Sequence, residues 1–253
     1  MEIILLIITG FIGGLIAGLL GLGGGVFYIL VLPYIMTQHG IPEDQASAFV
    51  VANSIMGITF ASSVSLFSQL KDYKPFVKES LFIWFSKELF NILVIFLMIY
   101  IFTRMQLQIR SKKPTETTND KIPIKQSIFG GSLTGLVSAL SGLGGGVILI
   151  PYLQIRLKQS VQKAKIISLS IIAMSATFIS LKNLLSQAPI FSSSIYHMGY
   201  ILPAIVLPII LGVLIGGPLG VKLSKKLNDK VLNLFFSLFV LIVFAEKLYG
   251  LLA

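Results

Sequence analysis

The chain has 253 residues, of which 55% are hydrophobic and only 12% are charged, so it belongs among proteins that cross a membrane several times and not among water-soluble domains. The net charge of +10 comes from Lys and Arg residues clustered between apolar runs, which is typical of cytoplasmic loops and not of nucleic-acid binding. The absence of cysteine excludes disulfides, thiolate nucleophiles and cysteine metal sites.

The first apolar segment, residues 3–36, is interrupted by a run of glycines. Gly21, Gly23, Gly24 and Gly25 fall close together, and each glycine costs a helix about 1 kcal/mol relative to alanine. The backbone must therefore open there, which at membrane depth is tolerated only against protein or a water-filled cavity. The cluster predicts either a very close helix crossing or a ligand site. We favour the ligand site, because broken helices in repeated halves mark transporter binding sites.

The second half of the chain repeats this pattern. The glycine cluster returns as Gly142, Gly144, Gly145 and Gly146. An ordered series of further matches follows each cluster, beginning with Pro33 and Pro151, so the chain contains two copies of one unit. We divide it into an N-terminal transmembrane repeat (residues 1–110), a cytoplasmic linker (111–122) and a C-terminal transmembrane repeat (123–253).

Each glycine cluster is followed by only about ten apolar residues, which as a helix rise about 15 Å, half of a membrane core of about 30 Å. Polar sequence begins after them, at residues 37–45 and 156–165. We therefore predict that each cluster forms the turn of a re-entrant hairpin, within residues 3–36 and 124–155. The alternative is a full-length helix that merely bends at the glycines.

Three ordinary spans are predicted after the second hairpin, at residues 166–186, 200–221 and 231–248. The first copy is shorter by about one span, and we expect residues 75–86 to close its topology as an abbreviated helix. A hairpin plus three spans is an odd number of crossings, so the two copies should be inverted relative to one another. The predicted fold is an all-α polytopic membrane protein of two inverted repeats, with about seven or eight spans.

Loop charge predicts the orientation. Lys and Arg residues concentrate at residues 70–79, in the linker, and at residues 156–165 and 222–230. These segments should lie on the cytoplasmic side, with both termini outside.

The helices that start at the glycine clusters suit a small anion. The N-terminus of a half-helix presents free N–H groups and about +0.5 of a charge. The candidate backbone ligands are Gly23, Gly24, Gly25, Gly144, Gly145 and Gly146. The helices after the hairpins add polar side chains that could bind an oxyanion, namely Asn53, Ser54 and Ser168. The earlier glycines, Gly10, Gly14 and Gly18, are spaced for close helix packing instead.

The repeated motif, residues 14–26 followed by Pro33 and residues 142–147 followed by Pro151, resembles the sulfite exporter TauE/SafE family of bacterial membrane permeases. The similarity covers nearly the whole second half, including the glycine-rich span 212–220, and is thinner in the first half. Asn53, Ser54 and Ser168 look equivalent to polar residues that the family carries after each hairpin. The resemblance implies transport, without ATP, of a small sulfur-containing or organic anion such as sulfite, a sulfonate or sulfoacetate.

We therefore predict a secondary transporter in the cytoplasmic membrane that moves a small anion by alternating access. There are two alternatives. One is an anion channel of the same fold, and the other is a membrane scaffold protein whose glycines only pack helices. An intramembrane hydrolase is disfavoured because the spans carry no Ser/His, Asp/Asp or metal-ligand constellation, so we expect no enzyme activity, cofactor or metal. The expected partners are the anion, the lipid bilayer and a coupling proton or sodium ion, with a homodimer as a further candidate and no nucleic acid.

Overall fold

The computed structural model describes residues 2–70, 146–157, 159–188 and 196–252. Within these ranges the chain forms helices α1 (Glu2–Leu20), α2 (Gly25–Gln38), α3 (Glu43–Leu70), α4 (Gly146–Pro151, continued by the π-helical turn Tyr152–Arg156), α5 (Val161–Leu185), α6 (Pro203–Lys226) and α7 (Asp229–Leu252). The same ranges contain no β-strand, only the isolated bridge between Met198 and Ile201. The predicted all-α fold class is confirmed.

Four of the described helices are long and apolar enough to cross a membrane: Glu2–Leu20, Ala46–Gln69, Val161–Leu185 and Pro203–Lys226. Helix α2 is also apolar but has only 14 residues, so it rises about 21 Å, less than the membrane core. The polytopic membrane fold is therefore supported. The number of spans, the inversion of the repeats and the domain boundaries stay predictions, because residues 71–145, with the segment 75–86 and the linker 111–122, lie outside the described residues.

Local sequence explains where several helices begin. The hydroxyl of Ser160 caps α5 by accepting a hydrogen bond from the N–H of Lys163 at 3.3 Å. Asn228 caps α7 in the same way, accepting from the N–H of Val231 at 2.9 Å. Pro203 stands in the first turn of α6, where a missing N–H carries no penalty. Because of the Ser160 cap, α5 begins at Val161, earlier than the start at residue 166 that hydropathy predicted.

Helices α1 and α6 run parallel and touch along a glycine stripe. The stripe consists of Gly10, Gly14 and Gly18 on α1 and of Gly212, Gly216 and Gly220 on α6. A Cβ at Gly10 would overlap the carbonyl of Ile209, and a Cβ at Gly18 would overlap the carbonyl of Gly217. The prediction that the early glycines of α1 pack helices is confirmed.

The chain reverses direction between α1 and α2, at residues 21–24. The backbone there is left-handed at three positions, with φ of 78° at Gly21, 76° at Gly23 and 77° at Gly24. The reversal brings Gly24 against the carbonyl of Gly13, halfway along α1. At the far end of α2, His39 contacts Glu2 at the start of α1. A single bent helix is therefore the wrong alternative for this segment, and α2 is a half-helix that begins level with the middle of α1.

The bundle of described helices has two ends, and a labelling experiment can assign each end to one side of the membrane. Gln38 and Gln187 are exposed at the end where α6 starts, and Lys226 and Asn228 are exposed at the other. We expect single cysteines at Gln38 and Gln187 to react with an impermeant maleimide in intact cells, because loop charge places this end outside. Cysteines at Lys226 and Asn228 should react only after permeabilisation.

The absence of native cysteine makes the parent chain an unreactive control. Labelling of Lys226→Cys from outside would show that the orientation is reversed. Labelling of both ends from one side would show that α6 does not cross the membrane.

Candidate functional site

The irregular segment, residues 21–24, is buried against α3, α4 and α5. A Cβ at Gly21 would lie 3.0 Å from the side chains of Ile150 and Lys165, and one at Gly23 would lie 3.1 Å from Ile58 and 3.2 Å from Ile172. The irregular segment therefore follows the first half of α5 from Lys165 towards Ile172. It ends at the middle of both α3 and α5, where α2 begins.

Gly146, the last residue of the second glycine cluster, reaches the same place. Gly146 is the first residue of α4, and a Cβ there would lie 2.8 Å from the carbonyl oxygen of Gly21 and 3.0 Å from Ile172 Cδ1. From this point α4 leads towards Ser160 and the start of α5, whereas α2 leads to the opposite end of the bundle. The start of α4 and the irregular segment thus meet at mid-depth. Gly144 and Gly145, also predicted to contribute, lie outside the described residues.

Two of the predicted hydroxyls contact the glycine segments. Ser168 Oγ donates to the carbonyl oxygen of Gly21 at 3.0 Å, and Ser54 Oγ donates to that of Gly25 at 3.4 Å. Both serines are fully buried. Ser168 thus donates to backbone that has left regular helical bonding, whereas Ser54 donates to the first residue of α2. The oxygen of each hydroxyl can still accept a hydrogen bond.

The third predicted side chain, Asn53, is bonded to backbone. Its Nδ2 donates to the carbonyl oxygens of Phe49 at 2.7 Å and Tyr200 at 2.9 Å, and its Oδ1 accepts from the N–H of Leu202 at 2.8 Å. These bonds fasten the irregular connection before α6 to the middle of α3. With both amide protons engaged, Asn53 has no donor left for an anion in this conformation.

The first turn of α2 presents backbone donors at the irregular segment. The N–H of Phe27 bonds to the carbonyl of Gly24 at 3.1 Å. The N–H groups of Gly25 and Val26 are buried, and the part of the chain that the structure describes offers them no acceptor. These are the unpaired donors expected at a helix N-terminus.

Sequence reasoning missed two polar side chains beside these glycines. The ring of Tyr28 is fully buried between Gly13 and Gly57, and its hydroxyl has no hydrogen-bond partner among the described residues. Lys165 is 1% exposed, and its stem packs on Gly21. The signal for Tyr28 was the pair of glycines that make room for its ring. Lys165 was assigned to a basic loop, because a hydropathy profile cannot distinguish a buried lysine from an exposed one.

A methyl group added at the described cluster glycines would meet protein. At Gly24 it would overlap the carbonyl of Gly13, and at Gly146 it would lie 2.8 Å from the carbonyl of Gly21. Gly→Ala variants here would disturb packing whether or not an anion binds. Binding is better tested at side chains.

Comparison with known families agrees with this architecture. The profile of the family described as sulfite exporter TauE/SafE matches residues 79–246, well over half of the chain. The chain belongs to the TauE/SafE family. The resemblance inferred from the glycine motif is thus confirmed, and membership places the chain among membrane transporters.

Two relatives of this chain are named probable membrane transporter proteins. One, from Methanocaldococcus jannaschii, is 29% identical over 225 residues, covering 80% of this chain and 79% of the relative. The other, from Haemophilus influenzae, is 29% identical over 175 residues, covering 61% of this chain and 63% of the relative. No solved structure matches the chain.

Proposed function

We propose that the protein is a secondary transporter that moves a small anion, a sulfur oxyanion or organosulfonate such as sulfite or sulfoacetate, across the cytoplasmic membrane by alternating access. The observation that carries the proposal is the non-helical, buried segment at residues 21–24, which meets the start of α4 between α3 and α5. Irregular backbone at membrane depth is characteristic of substrate sites in secondary transporters. The family name supports the choice of a sulfur oxyanion.

An anion fits the chemistry of this place better than a cation. The N-termini of α2 and α4 are the positive ends of two helices, and the N–H groups of Gly25 and Val26 find no acceptor in the ranges that the structure describes. We find no cluster of His, Asp and Glu side chains that could hold a metal ion in the described ranges. Donors and positive helix ends favour a ligand that accepts hydrogen bonds and carries negative charge.

We assign the binding residues accordingly. The backbone of Gly23, Gly24, Gly25, Gly144, Gly145 and Gly146 would contact the anion. The hydroxyls of Ser54 and Ser168 would be side-chain ligands once each has released the backbone carbonyl to which it now donates its proton. Asn53 would first have to release a backbone carbonyl, so we place it in the part of the site that changes between the two access states. A proton or sodium gradient would drive the cycle.

The proposal predicts saturable flux. Purified protein in liposomes should take up ³⁵S-labelled sulfite, and unlabelled sulfite or sulfoacetate inside the vesicles should accelerate uptake by exchange, because alternating access carries substrate in both directions. Empty liposomes are the control. Uptake that does not saturate and carries a large current would show a channel, and no flux of any sulfur anion would leave the scaffold alternative.

Tyr28→Phe tests whether the site lies beside the irregular segment. The variant keeps the ring between Gly13 and Gly57 and removes a hydroxyl for which the described part of the chain provides no partner, so stability should not fall. If this hydroxyl donates to the anion, the Michaelis constant for sulfite should rise about tenfold, as for loss of a hydrogen bond to a charged group. An unchanged Michaelis constant would show that the anion does not bind at the Tyr28 hydroxyl.

A further inference from the structure

Lys165 stands out among the groups that the proposed function does not yet use. It is the fifth residue of α5 and, among the Lys and Arg side chains that the structure describes, it alone is buried. Its Cβ and Cγ lie against Gly21, where the irregular segment starts. A buried ammonium needs a partner, because removing it from water without one is strongly unfavourable.

The described residues give the Lys165 ammonium little compensation. Nζ donates to Gln162 Oε1 at 3.3 Å, and the amide oxygen is neutral. Within the described ranges the one ion pair joins His39 and Glu2, so no carboxylate there reaches Lys165. The charges of Asp229 and Lys225 act on it from a distance and with opposite signs. Lys165 is therefore an amine held in the core without a contacting counter-charge from these residues.

The surroundings of Lys165 match a small anion. Gln162, Lys165 and Ser168 are spaced three residues apart on α5, so they share one side of the helix. Ser168 bonds to the carbonyl of Gly21, and Gly146 lies against the same carbonyl. Gly146, the Ser168 hydroxyl and the stem of Lys165 thus surround the start of the irregular segment, and the Lys165 ammonium lies at Gln162.

We propose that Lys165 is the charged ligand of the transported anion, and that the anion supplies the counter-charge which the described residues do not provide. The inference rests on the proposed function and adds to it a substrate class. One ammonium balances one negative charge, so the site should prefer a monoanion, such as methanesulfonate or hydrogensulfite, to a dianion. Among the sulfur anions named under the proposed function, this favours hydrogensulfite over sulfoacetate, whose sulfonate and carboxylate together carry two negative charges. Gln162 orients the ammonium while the site is empty.

The test measures how anions change the melting temperature of the purified full chain. Sodium methanesulfonate and sodium sulfate are titrated as the monoanionic and dianionic probes, with ionic strength held constant by sodium chloride. A ligand that binds only the folded state raises the melting temperature with concentration. Wild-type protein should respond to methanesulfonate at lower concentrations than to sulfate. An equal or stronger response to sulfate would overturn the assignment to a monoanion.

Two variants test the lysine itself. Lys165→Met removes the charge and keeps most of the length, so the protein without anion should melt at or above the wild-type temperature. Its response to methanesulfonate should be lost or need at least about a tenfold higher concentration. Lys222→Met, at an exposed lysine near the end of α6, is the matched control and should respond as wild type does.

Gln162→Glu keeps Lys165 and places a carboxylate where the amide oxygen now lies. The internal ion pair should compete with the anion and weaken the response to methanesulfonate by a similar factor. The variant also loses the bond from Gln162 Nε2 to the carbonyl of Ser224 at 3.1 Å, so affinity, not basal stability, is its readout. If Lys165→Met fails to fold, Gln162→Glu still tests whether Lys165 binds the anion.

The outcomes separate this inference from the proposed function. If wild-type protein transports and is stabilised by methanesulfonate, and both variants respond as wild type does, the transporter stands and Lys165 is not its ligand. If wild-type protein neither binds nor transports any sulfonate or sulfite, the proposed function fails first. A Lys165→Met protein that melts lower and still binds the anion would make Lys165 a structural residue.

Discussion

Gly216→Ala is expected to separate α1 from α6 and to leave little folded protein. A methyl group at Gly216 would overlap the carbonyl of Phe11 and lie 3.0 Å from the N of Leu15. These are backbone atoms of a helix, which cannot rotate away as side chains can. Overpacking typically costs about 1–3 kcal/mol, and with no flexible neighbour we expect at least about 3 kcal/mol here.

The neighbouring residue provides a matched control. At Gly217 a methyl group would first meet side chains, Val64 Cγ1 at 3.1 Å and Ser65 Oγ at 3.2 Å. These can shift, and alanine is favoured over glycine within a helix by about 1 kcal/mol, so Gly217→Ala should melt near the wild-type temperature. The measurement is the thermal unfolding midpoint and the monodisperse yield in detergent. Equal behaviour of the two variants would contradict the close α1–α6 contact.

The same stripe shows what glycine spacing can and cannot predict. Gly10, Gly14 and Gly18 recur every fourth residue, so they form one face of α1 and predict that another backbone approaches it. Their spacing does not identify the partner. That partner is α6, near the other end of the chain, and the pairing depends on tertiary contacts that no local pattern encodes.

The break at residues 21–24 was predictable, because glycines are concentrated there and α2 is too short to span a membrane. The residues that surround the break were harder to predict. Hydropathy placed the start of α5 at residue 166, after the polar stretch, and so assigned Lys165 to a loop. A serine cap at Ser160 and a lysine turned inward are consistent with the same polar sequence. Polarity alone does not distinguish an exposed loop from a capped helix start that carries a buried lysine.

Tyr28 was missed for a related reason. A tyrosine in an apolar helix is normally predicted to be a core residue. The ring of Tyr28 does fill the space that Gly13 and Gly57 leave open on two other helices. The hydroxyl becomes notable only because those helices provide it with no partner. An unpaired buried group is a property of the assembled fold, since it depends on what the neighbouring elements lack.

Asn53→Leu is the second variant with a large expected effect. The substitution introduces an apolar side chain of similar shape into α3 and removes the partners of the Tyr200 carbonyl and the Leu202 N–H. The part of the chain that the structure describes offers these two groups no other hydrogen bond. A buried polar group left unpaired costs about 1–3 kcal/mol, so we expect a loss of about 2–6 kcal/mol in the free energy of unfolding.

Ser62→Ala is the control that distinguishes loss of the Asn53 bonds to the connection before α6 from loss of just any buried polar side chain on α3. Ser62 is equally buried, but its hydroxyl donates only to carbonyls of its own helix, those of Ile58 and Thr59. These carbonyls lie inside α3, where backbone N–H groups can bond to them without the hydroxyl, so this variant should lose no more than about 1 kcal/mol. Thermal unfolding in detergent, followed side by side for both variants, gives the comparison. If the two midpoints fall equally, Asn53 does not fasten the connection before α6, and its amide is free to serve the anion directly.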